Sequence, residues 1–138
     1  MRSRPVGIAW RTQAAVAAGG SVGALARVAV EREFPVHPGA FPWSTFVINV
    51  VGCVLLAYIA TRLMERLPPS TYRRPAIGTG FCGALTTFST LQVELFTLLR
   101  DGDVVVAVVY AASSIAIGFA AVILATWMVR RARLVRSA

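Results

Sequence analysis

The sequence predicts an all-α membrane protein: four transmembrane helices in one domain over 1–138, the third of unusual makeup near its middle. Three observations lead there. The composition is 57% hydrophobic and 14% charged over 138 residues, too apolar for a soluble domain of this size, whose surface needs far more charge. The apolar residues gather into runs of the roughly 20 residues needed to cross a hydrocarbon core of about 30 Å. The third run alone is filled with glycine and hydroxyl residues where a plain membrane helix would carry leucine and valine.

The first span, 12–30, is rich in Ala and Gly and holds Arg27 near its end. Its basic start, "MRSRPVGIAWR", followed by small residues, also fits a cleaved leader. The scarcity of leucine and the GxxxG spacing of Gly19 and Gly23 favour a retained, closely packed helix. The second span, 44–62, contains the charge-free run "STFVINVVGCVLLAYIAT" with Asn49 in mid-span. The third, 76–99, is charge-free as far as residue 93, and the fourth, 104–129, is charge-free throughout. Breaks fall between them: Pro35, Pro38 and Pro42, then Pro68, Pro69 and Pro75, then Asp101-Gly102-Asp103. No internal repeat is visible.

The formal net charge of +8 comes from arginine alone, since the chain has no lysine. The arginines flank spans, which favours a topological role over nucleic-acid binding. Eleven lie in the N-terminus (Arg2, Arg4, Arg11), the second connection (Arg62, Arg66, Arg73, Arg74) and the C-terminal tail (Arg130, Arg131, Arg133, Arg136). Three, Arg27, Arg32 and Arg100, lie on the other side. The positive-inside rule then places both termini in the cytoplasm of a multi-pass protein of the cell inner (plasma) membrane. Trp10, Trp43 and Trp127 stand near span ends, as interfacial anchors do.

Enzyme chemistry finds no purchase here. Cys53 and Cys82 lie in apolar runs without metal or disulfide spacing and suit packing. His37 stands alone in "PVHPG", and the chain offers no Ser or Cys beside a His, no paired carboxylates and no phosphate-binding glycine loop.

The polar groups within the spans carry what chemistry there is. Residues 80–92 read "GFCGALTTFSTLQ". Small residues there let helices touch, and the hydroxyls bond back to carbonyls one turn earlier. A kinked or unwound turn would also free carbonyl oxygens able to coordinate a cation in mid-membrane. Asn49, Tyr110, Ser113 and Ser114 need partners away from lipid, and Tyr110 and Ser114, four apart, share a helix face. These donors are neutral, which suits a small, strongly hydrated anion that must receive substitute hydrogen bonds without being trapped by a full charge. Phe88 adds a ring whose edge carries partial positive charge.

The stretches "GGSVGALAR" (19–27), "TFVINVVG" (45–52) and "GFCGALTTFSTL" (80–91), followed by Glu94 and Tyr110, resemble the Fluc/CrcB-type fluoride channel family across all four segments. The resemblance implies a four-helix subunit that dimerises antiparallel, exports fluoride passively from the cytoplasm and holds a structural sodium ion at the dimer centre. Carried over by motif, Asn49, Phe88, Ser89, Thr90, Tyr110 and Ser114 would line the pore and Arg27 would sit at a vestibule. The third helix would be broken near its middle, where Gly83 and Thr86 would offer backbone carbonyls to sodium.

Two features depart from the family pattern. Leu91 replaces the second phenylalanine of "TTFSTF", and a leucine has no edge quadrupole. The lopsided arginines favour one orientation, whereas an antiparallel homodimer must insert both ways. Both point to a heterodimer with an oppositely oriented homologue, although the chain also fits a partnership with itself. A small proton-coupled multidrug antiporter is a rival reading, but it needs a deeply embedded carboxylate, and Glu94 near a span end is the sole candidate. A non-conducting structural subunit is a further one, against which stands the cost of so many hydroxyls in lipid.

Overall fold

The computed structural model describes residues 6–65 and 72–134. Arg2, Arg4, Arg66, Arg136, Pro68 and Pro69 lie outside them. The described residues form α1 (Val6–Glu33), α2 (Trp43–Glu65), a π-helical segment (Pro75–Cys82) that runs into α3 (Gly83–Leu85), α4 (Phe88–Arg100) and α5 (Val104–Leu134). Among the described residues, four stretches are long and apolar enough to cross a membrane: Trp10–Glu33, Trp43–Arg62, Pro75–Arg100 and Val104–Arg131.

Lipid offers no hydrophobic reward for bringing helices together, so close packing by small residues must hold them. In the first layer, α1 lies on the π-helical segment almost backbone to backbone. A Cβ on Gly19 would overlap the Ala76 carbonyl, one on Gly23 the Phe81 carbonyl, and one on Gly80 the Val16 carbonyl. The wide π turn itself is an uncommon geometry; Gly78 and Gly80 keep side chains out of it, and their carbonyls receive the Gly83 N–H.

Side chains hold the second layer, where α2, α4 and α5 meet. Phe46, Leu98, Ala107 and Tyr110 form its buried core. Phe41 stands edge-on to Phe46 and Tyr110, with ring centroids 5.4 and 5.2 Å away. The connection from α4 to α5 is a three-residue Schellman turn. Gly102, at φ 91°, allows Asp103 N–H to reach the Leu98 carbonyl at 2.8 Å.

Cross-contacts show that the crossings alternate in direction. Thr45, Asn49 and Leu56 on α2 meet Glu94, Thr87 and Gly78 in reverse order. One end of the bundle therefore carries the start of α1 and the ends of α2 and α5.

Candidate functional site

The third span leaves helical geometry at two residues. Thr86 (φ −75°, ψ 150°) and Thr87 (φ −141°, ψ 121°) are extended. An interrupted helix leaves carbonyls and N–H groups unpaired, a cost that hydrocarbon does not relieve.

Neighbouring groups supply the partners. Asn49 on α2 takes both backbone groups of Thr87: its Nδ2 donates to the Thr87 carbonyl at 3.0 Å, and the Thr87 N–H donates to Oδ1 at 2.8 Å. Since a carbonyl only accepts and an N–H only donates, this pair fixes which end of the amide is nitrogen. The Thr86 N–H and Oγ1 both donate to the Cys82 carbonyl at 3.0 Å. Its γ-methyl fills a notch beside Gly52, where a Cβ would overlap it. Thr87 Oγ1 caps α4, accepting from Thr90 N–H at 3.1 Å and donating to Thr90 Oγ1 at 2.9 Å, with Ser89 Oγ 3.3 Å away.

These bonds decide which carbonyls are left. In an unbroken α-helix the Gly83 carbonyl would accept from Thr87 N–H and the Thr86 carbonyl from Thr90 N–H. Here the first donor goes to Asn49 and the second to the Thr87 hydroxyl. Gly83 is exposed, with open space where a Cβ would stand. Gly83 and Thr86 thus present hard carbonyl oxygens of the kind a small cation takes. Among the described residues no cluster of three or more His, Cys, Asp and Glu is placed to hold a metal.

Beside the break lies a cleft of ≈ 330 Å³ between α2, α4 and α5. Phe88, Leu91 and Ile115 give it apolar walls, and Asn49, Gln92 and Ser114 give it polar groups. Ser114 Oγ is buried without a hydrogen-bond partner among the described residues. Asn49 has spent its oxygen and one N–H on Thr87 and keeps a second N–H. Phe88 is 72% exposed.

The remaining residues singled out in the sequence lie around the cleft rather than in it. Tyr110 and Ser114 share a face of α5, yet only Ser114 borders the cleft. The Tyr110 hydroxyl, fully buried, donates to Glu94 Oε2 at 2.7 Å, and Thr45 Oγ1 donates to Oε1 at 2.7 Å. Both oxygens of Glu94 are held by hydroxyls. Ser89 and Thr90 sit at the start of α4 with their hydroxyls gathered on Thr87. Arg27, half-buried near the end of α1, faces Glu31 at 3.8 Å. Reading by residue type gave no role to Thr45, Gly52 and Gln92. Thr45 had a usable signal, since it stands four residues before Asn49 on one helix face.

The chain matches the family described as "CrcB-like protein, Camphor Resistance (CrcB)" over residues 14–126. It is 53% identical over 127 residues to the fluoride-specific ion channel FluC 1 of Mycolicibacterium paratuberculosis, covering 92% of this chain and 96% of that protein. The FluC 1 of Mycobacterium bovis is 52% identical with the same coverage. The FluC 1 of Streptomyces coelicolor is 40% identical over 126 residues, 88% of this chain and 82% of that protein.

Proposed function

The chain belongs to the CrcB family, and from that membership and its cleft we propose that it is a fluoride-selective channel subunit, which lets fluoride leave the cytoplasm passively and protects the cell from fluoride toxicity. One observation carries the residue-level reading: the cleft pairs an amide held rigid by the helix break with a hydroxyl that has no partner among the described residues. Fluoride is small and holds its water tightly, so each water lost in mid-membrane must be replaced by another donor. Asn49 offers its second N–H from an amide already oriented by Thr87, so little reorganisation accompanies the ion's arrival. Ser114 offers its hydroxyl from the facing helix. The edge of Phe88 adds a weak, sterically selective contact. Ser89 and Thr90 flank the path. Tyr110 supports it through Glu94, because its own hydroxyl is already engaged.

Sodium fits the break. The Gly83 and Thr86 carbonyls would hold it, and the ion would supply positive charge that joins two such breaks across an antiparallel dimer. The exposed Gly83 face supports that assembly. Leu91 borders the cleft where the family carries a second ring. Together with the arginine bias, this favours an oppositely oriented homologue as partner. In the plasma membrane, the same bias supports both termini in the cytoplasm.

The test is release of fluoride and chloride from liposomes holding the chain, alone and with a co-expressed homologue of opposite arginine bias. Fluoride release without chloride release is expected, and only the mixed dimer should reach the full rate. Equal release of both anions would overturn selectivity, and full activity from the chain alone would overturn the heterodimer. Antiporter chemistry would instead make transport depend on a proton gradient and on Glu94.

A further inference from the structure

The two ends of the bundle differ in charge and in how their aromatic residues are used. At the end formed by the start of α1 and the ends of α2 and α5, three arginines each lie over an aromatic face. Arg131 stands 4.9 Å from the centroid of Trp127, Arg62 5.6 Å from Tyr58, and Arg11 5.6 Å from Trp10. All three rings are exposed, Trp127 by 51% and Trp10 by 57%. Of the six acidic residues only Glu65 falls at this end, whereas Glu31, Glu33, Asp101 and Asp103 lie at the other with Arg27, Arg32 and Arg100. The opposite end has an exposed tryptophan too, but Trp43 packs against Phe41 and Phe46 at 4.6 and 5.9 Å.

We infer that the three stacked pairs form a collar that binds the headgroups of anionic phospholipids. A guanidinium lying on an indole or phenol face is weakly hydrated and already ordered, while its N–H edges stay open to a phosphate in bidentate geometry. The rings sit at the ends of the spans, at the depth where tryptophan and tyrosine meet headgroups. A free anion in water gains only the charge; a lipid phosphate is also presented at the height of the stacked arginines, so the surface matches a lipid. Each arginine near an anionic surface is worth about a fivefold preference. The collar thus ties one end of this protomer to anionic lipid, and a partner inserted the other way would face different chemistry.

Brominated lipids, which quench nearby tryptophans, test this in the full-length chain. Two sets of vesicles share one composition of phosphatidylcholine and phosphatidylglycerol, with the bromine on the phosphatidylglycerol chains in one and on an equal fraction of phosphatidylcholine in the other. Two single-tryptophan proteins are compared, one keeping Trp127 (W10F and W43F) and one keeping Trp43 (W10F and W127F). Trp127 should be quenched at least twofold more when the label is on phosphatidylglycerol, and Trp43 equally by both. Arg131→Gln should lower the Trp127 ratio to that of Trp43. Equal quenching of Trp127 by both labels, or a ratio that Arg131→Gln leaves unchanged, overturns the collar. If Arg131→Gln does not fold, the Trp127 and Trp43 comparison decides alone.

Discussion

The two halves of the third span are held in opposite ways. Its first half, Pro75–Leu85, rests on α1 through glycines, with carbonyls where side chains would normally be. Its second half, α4, is held by side chains: Asn49 and the Thr87 cap at its start, then Glu94 between Thr45 and Tyr110. Backbone against backbone tolerates no added atom, whereas a polar side-chain network can lose one bond and keep its shape. The first half is therefore the anchor, and the second half gives the cleft its wall of Phe88, Leu91 and Gln92.

Substitutions sharpen this contrast, and their effects on stability should fall in a definite order. Gly23→Leu or Gly80→Val should yield no folded protein on size-exclusion chromatography in detergent, because the new side chain meets a main-chain carbonyl that has nowhere to move. Recovery of a normal folded peak would show that the anchor yields. Asn49→Ala should cost about 3 kcal/mol in unfolding measurements, since it strands both the N–H and the carbonyl of Thr87, and it should abolish fluoride flux. Unchanged flux would remove Asn49 from the path. Tyr110→Phe, which takes one of two hydroxyls from a carboxylate, should cost about 2 kcal/mol; a loss under about 0.5 kcal/mol would mean that the bond adds little. Thr87→Ala should cost about 1 kcal/mol as a lost helix cap, with greater amide exchange in the first turn of α4.

Much of this arrangement is legible in the residues. The membrane class follows from charge-free runs punctuated by proline and by Asp101-Gly102-Asp103, because lipid imposes length and composition directly on the chain. The unusual makeup of 80–92 marks where that regularity is given up. What residue type does not reveal is pairing over distance. Asn49 meets Thr87 across 38 positions, and Thr45 meets Glu94 across 49; nothing local distinguishes an amide that faces a cleft from one that closes a break. The same limit separates Tyr110 from Ser114. Their spacing puts them on one face of α5, but only the packed neighbours decide that the first turns to Glu94 and the second to the cleft. The π turn is likewise invisible in composition, as is the close approach of the α1 glycines to Ala76 and Phe81 along it.

Ser114→Ala separates conduction from folding most directly, because the hydroxyl it removes holds nothing else in place. Measured as fluoride release from liposomes, the variant should be about tenfold slower, the worth of one hydrogen bond of about 1.4 kcal/mol. Its unfolding midpoint should match that of the parent. A release rate equal to the parent's would contradict the proposal that neutral donors in the cleft stand in for fluoride's water.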